Sequence, residues 1–115
     1  MTASDGAGAL GSLVELLARR HSLDAFWELR TTPLPFRTLA QRLDVPPARL
    51  SQRLTELREA GVIDIDESGE YRLTAQGRRL LGALEPVAAW AEGWRSLSPR
   101  QRVPRGSATR ARDEP

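Results

Sequence analysis

A helical stripe that stops at a glycine, a hairpin, and a return to helix with no loop between them constrain this chain more than any other feature. Leu50, Leu54 and Leu57 recur at helical spacing, and Gly61 follows as a left-handed cap. Val62 to Ile65 and Glu70 to Leu73 alternate as two short strands, joined by the turn Asp66-Glu67-Ser68-Gly69. The second strand runs directly into helix at Thr74, a good N-cap. Gly77 then sits in the first helical turn, where it costs ~1 kcal/mol in propensity against alanine. A glycine there lets the turn approach a neighbouring element closely.

Upstream, Leu10, Leu13, Val14 and Leu17 form one apolar stripe, which predicts an amphipathic helix over roughly 9–20. Ser22 is placed as the N-cap of a second helix, with Asp24 in its first turn and Phe26 and Leu29 on its apolar face. Pro33 and Pro35 then break helix and leave room only for a short extended piece. Phe36, Leu39, Ala40 and Leu43 share one face of a third, short helix. Asp44 to Pro47 is a tight turn, and Pro47 suits the first position of the helix that bears the leucines. Downstream, Leu80, Leu84, Val87, Ala91 and Trp94 make a seam along the last helix. Pro86 interrupts that run and predicts a kink or two consecutive helices. Two short helices joined by a tight turn, the second passing through glycine into a hairpin, describe a winged helix-turn-helix. The fold class is mainly α with a small β-hairpin (α+β).

Composition bounds the rest. The 115 residues allow one domain, expected over residues 10–97 between a disordered N-terminus (1–9) and a disordered, arginine-bearing tail (98–115). A core that small gains from burying more surface in an oligomer. The absence of cysteine removes disulfides, thiolate metal sites and thiol chemistry. No metal-ligand set or other cofactor motif is present, so no cofactor is expected. No apolar run matches a membrane span and no signal segment opens the chain, so the expected location is cytoplasmic. All 17 basic side chains are arginine, a bias that a GC-rich coding sequence explains by itself. The net charge of +2 is unevenly placed: a basic middle and a basic tail flank an acidic hairpin.

With these elements laid out, the chain resembles the HxlR-type winged helix-turn-helix regulators, a branch close to the MarR group. The matching pieces are Phe36 to Leu43 (FRTLAQRL), Leu50 to Ile63 (LSQRLTELREAGVI), Tyr71 to Leu81 (YRLTAQGRRLL) and Trp90-Ala91. The resemblance implies DNA-binding transcriptional regulation by a homodimer, without catalysis. Three features depart from the family: it often carries a sensing cysteine near the N-terminus, its wing is usually longer and basic, and Ile-Ser commonly stands where this chain has Val45-Pro46.

The helix over 47–60 is the expected recognition helix. With its leucines inward, Ala48, Arg49, Ser51, Gln52 and Thr55 form the base-reading set; arginine matches guanine and glutamine matches adenine in the major groove. Arg37, Thr38, Gln41 and Arg42 on the preceding helix are placed for phosphate contacts, as are Arg53 and Arg72. Each is equally readable as plain surface. Asp64, Asp66, Glu67 and Glu70 would repel phosphate, so the wing is expected to be structural. Trp27, Trp90 and Trp94 read as core or interface packing; a pocket between subunits for an unidentified small-molecule effector is the alternative. Leu10, Leu13, Val14, Leu17, Leu84, Val87, Ala91 and Trp94 are the expected dimer interface. His21, Ser22 and Asp24 are triad residue types, but they crowd one helix start and cannot converge on a substrate atom, so no enzyme is expected. The reading is a homodimeric, sequence-specific binder of double-stranded operator DNA. The alternative is a winged-helix module for protein contact.

Overall fold

A computed structural model of the protein describes residues 3–102. Its elements are α1 (Ala3–Ala18), α2 (Ser22–Glu28), α3 (Phe36–Leu43), α4 (Pro47–Glu59), β1 (Ile63–Ile65), β2 (Tyr71–Leu73), α5 (Ala75–Arg95) and α6 (Pro99–Arg102). They fall into two compact units that divide within α5, between Leu81 and Gly82. The region expected as one domain, 10–97, spans both units.

The first unit is a winged helix-turn-helix. Its core is Ala25, Phe26 and Leu29 of the α2 region, Leu34, Leu39, Val45, the α4 leucines Leu50, Leu54 and Leu57, and Val62, Ile63 and Leu73 of the hairpin. The periodicity argument therefore selected the inner face of α4 correctly. β1 and β2 pair antiparallel, Ile63 opposite Leu73 and Ile65 opposite Tyr71. Leu34 exchanges two main-chain hydrogen bonds with Tyr71, of 2.9 and 2.8 Å, so the proline-rich connection supplies a one-residue third strand.

The α4–wing–α5 joint explains the two glycines. Gly61 adopts φ 80° just past the α4 C-cap. The Gly61 N–H donates to the Arg58 carbonyl and the Val62 N–H to the Leu57 carbonyl, which makes a Schellman end. At the other side Thr74 caps α5: the Gly77 N–H donates to its Oγ1 at 3.0 Å, and its hydroxyl donates to the Gly61 carbonyl. The Thr74 N–H donates to the Val62 carbonyl at 3.1 Å. A Cβ on Gly77 would overlap that same carbonyl oxygen and lie 3.3 Å from the Leu73 Cβ. Only glycine fits.

Four expectations change. α1 begins at Ala3 rather than near residue 9; alanines at 3, 7 and 9 sustain helix where hydrophobicity gives no signal. The cap of α2 is His21, in the left-handed region at φ 73°, while Ser22 is the first helical residue and fully buried. Pro86 lies inside one continuous α5, so of the expected kink or two consecutive helices the division does not occur. Residues expected to be tail form the turn α6, closed by reciprocal bonds between Ser98 and Gln101, a capping box. The remainder of the expected tail, 103–115, lies outside the described residues, as do Met1 and Thr2.

Three outcomes follow for stability. Gly77→Ala is expected to lower the unfolding free energy by about 1–3 kcal/mol, because the rigid Val62 backbone must move. Gly82→Ala, in the same helix with open space around it, should raise it by up to ~1 kcal/mol; urea melts of both variants check the pair. Ser22→Ala should leave stability equal or higher by up to about 1 kcal/mol, since the buried Ser22 hydroxyl has no partner among the described residues. A loss on denaturant melting would show that the hydroxyl is bonded.

Candidate nucleic-acid interface

Pro46 and Pro47 start α4 with no side-chain cap. Leu50, Leu54 and Leu57 hold one face in the core, and the helix presents Ala48, Arg49, Ser51, Gln52 and Thr55 to solvent, all exposed. Arg49 and Gln52 make no ion pair or side-chain hydrogen bond among the described residues, so both side chains are available. Thr55 is partly committed: its hydroxyl donates to the Ser51 carbonyl at 2.9 Å, which leaves its methyl and an acceptor outward. Such a surface can offer bidentate donors to purine edges and an apolar contact to a thymine methyl.

The residues expected at phosphates divide. Arg37 and Gln41 are exposed on α3 and rim a shallow hollow of about 460 Å³ at the turn into α4, shared with Asp44 and Pro47. Thr38 is half-buried beside them. The other three arginines are tied to carboxylates. Arg42 reaches Glu28 of α2 at 3.2 Å, Arg53 reaches Glu56 at 2.9 Å, and Arg72 reaches Asp64 across the wing at 2.9 Å. Arg53 is the clearest departure from expectation. Its side chain is only 12% exposed, drawn back along α4, so the position expected at a phosphate points elsewhere. Arg58 is a cation that sequence reasoning passed over. It is exposed and borders, with Thr55, Ile63 and Asp64, a hollow of about 370 Å³ between α4 and the wing. Its spacing of three from Thr55 on one helix flank was the available signal.

The sequence profile of the HxlR-like helix-turn-helix family matches residues 16–99. The chain belongs to that family. HTH-type transcriptional regulators of Mycobacterium tuberculosis and Mycobacterium bovis, both uncharacterized, are 34% identical to it over 73% of this chain and 57% of theirs. The chain therefore spans a little over half the length of these curated relatives. Among solved structures, the transcriptional repressor BigR from Xylella fastidiosa superposes with a TM-score of 0.64 at 26% identity, over 77% of this chain and 92% of that one. Quinone-bound YodB from Bacillus subtilis gives 0.68 at 23% identity, over 74% and 96%, a likeness of fold. The HxlR-like match places a helix-turn-helix in this chain, and the curated relatives are named HTH-type transcriptional regulators.

This HxlR-like chain leaves apolar side chains outside in both units. On α1, Leu10 and Val14 are exposed while Leu13 and Leu17 are half-buried. On the later half of α5, Val87, Trp90 and Trp94 are exposed, with Leu84 and Ala91 half-buried. Trp90 and Trp94 stack at 6.0 Å between ring centroids, and Trp90 is 66% exposed. Of the two packing readings for these tryptophans, core burial is thus set aside within the chain. Trp27 is half-buried, with the Arg30 guanidinium 5.3 Å above its ring. Among the described residues no group of acidic or histidine side chains could hold a metal ion, and no helix is long and apolar enough to cross a membrane.

The HxlR-like wing is closed by Asp66 rather than by basic residues. One carboxylate oxygen accepts from the Ser68 hydroxyl at 2.7 Å and from the Ser68 and Glu70 N–H groups at 2.9 Å each, while Gly69 turns at φ 88°. These donors, the Ser68 hydroxyl first, hold the Asp66 carboxyl below its ordinary value. A carboxyl depressed in the folded state adds stability above its unfolded value of about 3.9 and loses it as pH falls through the folded one. An NMR titration should place the Asp66 midpoint below that of a free aspartate, and Ser68→Ala should move it upward. An unshifted midpoint would mean the turn is open in solution.

Proposed function

We propose that this protein is a sequence-specific binder of double-stranded DNA that works as a homodimer and regulates transcription by occupying an operator. The observation that carries the reading is the face of α4: five side chains able to read bases are exposed on a helix whose opposite face is locked in the core. Arg49 and Gln52 are the specificity pair. Arg37, Gln41 and Arg58 are the available groups for backbone contacts. The exposed apolar residues of α1 and α5 support pairing of two copies, which would set two recognition helices on successive turns of one DNA face. No catalytic step is proposed. The proposed operator binding implies a cytoplasmic location.

One observation favours a second reading. The wing cation Arg72 is held by Asp64 beside Asp66 and Glu67, so the wing offers phosphate little. A winged-helix module for protein contact would look the same there. A mobility-shift titration on the DNA upstream of the protein's own gene separates the two. Arg49→Ala and Gln52→Ala should each cost about 1–3 kcal/mol on the operator, roughly 5- to 150-fold in Kd, and far less on an arbitrary duplex. Equal affinity for both duplexes, untouched by either substitution, would favour the protein-contact reading.

A further inference from the structure

Glu56 puts a largely buried carboxylate on the candidate recognition helix. It lies one turn beyond Gln52 and two beyond Arg49 on α4, and a negative charge at that position repels phosphate. Its side chain is 18% exposed and its two oxygens are both engaged: Oε1 with Arg53 at 2.9 Å, Oε2 with Arg19 at 3.1 Å. Arg53 comes from α4 itself, and Arg19 from the turn after α1. The two pairs differ in kind. Arg19 is half exposed and its pair is screened by water. Arg53 is nearly buried, its Nε sheltered without a partner among the described residues, so Glu56 supplies the charge that allows its guanidinium to lie there.

Resting on the DNA-binding reading above, we propose that Glu56 is a specificity-determining positioning residue that keeps Arg53 out of the DNA interface. Affinity for phosphate is blind to sequence, and each cation that reaches a phosphate strengthens binding to every duplex alike. Drawing Arg53 back removes one such contact while leaving Arg49 and Gln52 outward. That raises the ratio of operator binding to arbitrary binding, the quantity on which a regulator depends in a genome full of competing sites. When Glu56 is neutralised, a buried guanidinium without a counter-charge is costly. The long apolar stem of Arg53 then lets the head group swing into water on the flank of α4, within reach of a phosphate.

The test needs no knowledge of the operator. The full chain is titrated with salt on a fluorescent duplex of arbitrary sequence, and log K is plotted against log salt. Glu56→Gln, with helicity checked by circular dichroism, should bind that duplex more tightly and steepen the slope by about 0.9 for the freed guanidinium. Glu56→Gln combined with Arg53→Met should lose that increment. A Glu56→Gln slope equal to that of the unsubstituted chain overturns the proposal, as does an increment that survives in the double variant. If Glu56→Gln does not fold, Arg53→Met decides alone: an unchanged slope supports the withdrawn guanidinium, and a slope flattened by about 0.9 shows Arg53 already on phosphate. Absence of salt-dependent binding by the unsubstituted chain overturns the DNA-binding reading itself, and this inference with it.

Discussion

The winged helix-turn-helix unit depends on the peptide groups of one residue, Val62. Its N–H closes the end of α4 on Leu57, and its carbonyl accepts from Thr74 at the start of α5. That carbonyl also occupies the space a side chain on Gly77 would need. The end of the candidate recognition helix, the first residue of the wing and the first turn of the following helix are therefore fixed to each other through main chain. Exposed side chains can rearrange with little cost; a backbone junction of this kind cannot. The orientation of α4 relative to the wing follows from it.

Much of that joint was legible in the amino-acid sequence because its determinants are local. Leu50, Leu54 and Leu57 announce a buried face by spacing alone. Gly61 follows the last of them at capping distance, and Thr74 and Gly77 announce an N-cap and a close approach. The parts that were missed depend on contacts distant in sequence or on competition between neighbours. Ser22 looks like a cap, but His21 takes that place and core packing draws Ser22 inside. Arg53 looks like a phosphate ligand, and its i,i+3 partner Glu56 was readable, but the engagement of Arg19 from the turn after α1 was not. The helix from Ala3 and the Ser98–Gln101 box carry no hydrophobic pattern, which is why composition alone called both segments unstructured.

Charge shows the same division. Counting arginines describes a basic protein, yet Arg42, Arg53 and Arg72 are each matched to a carboxylate of the same unit. What remains unpaired among the described residues near α4 is Arg37, Arg49 and Arg58, a smaller set than the sequence offers. An interface with few uncommitted cations gains less from phosphate and relies more on base edges. The acidic wing fits that arrangement. Its turn is held by Asp66 and its strand by Leu34, so it keeps its shape without nucleic acid to order it.

The stacked pair Trp90 and Trp94 has a use unrelated to regulation. Two of the chain's three indoles lie 6.0 Å apart and open to water on one helix. Indole emission moves to shorter wavelength as water is excluded, and close, nearly parallel rings couple electronically. Intrinsic fluorescence and near-ultraviolet dichroism of this protein therefore carry a built-in optical reporter of whatever covers the later half of α5, with no label attached.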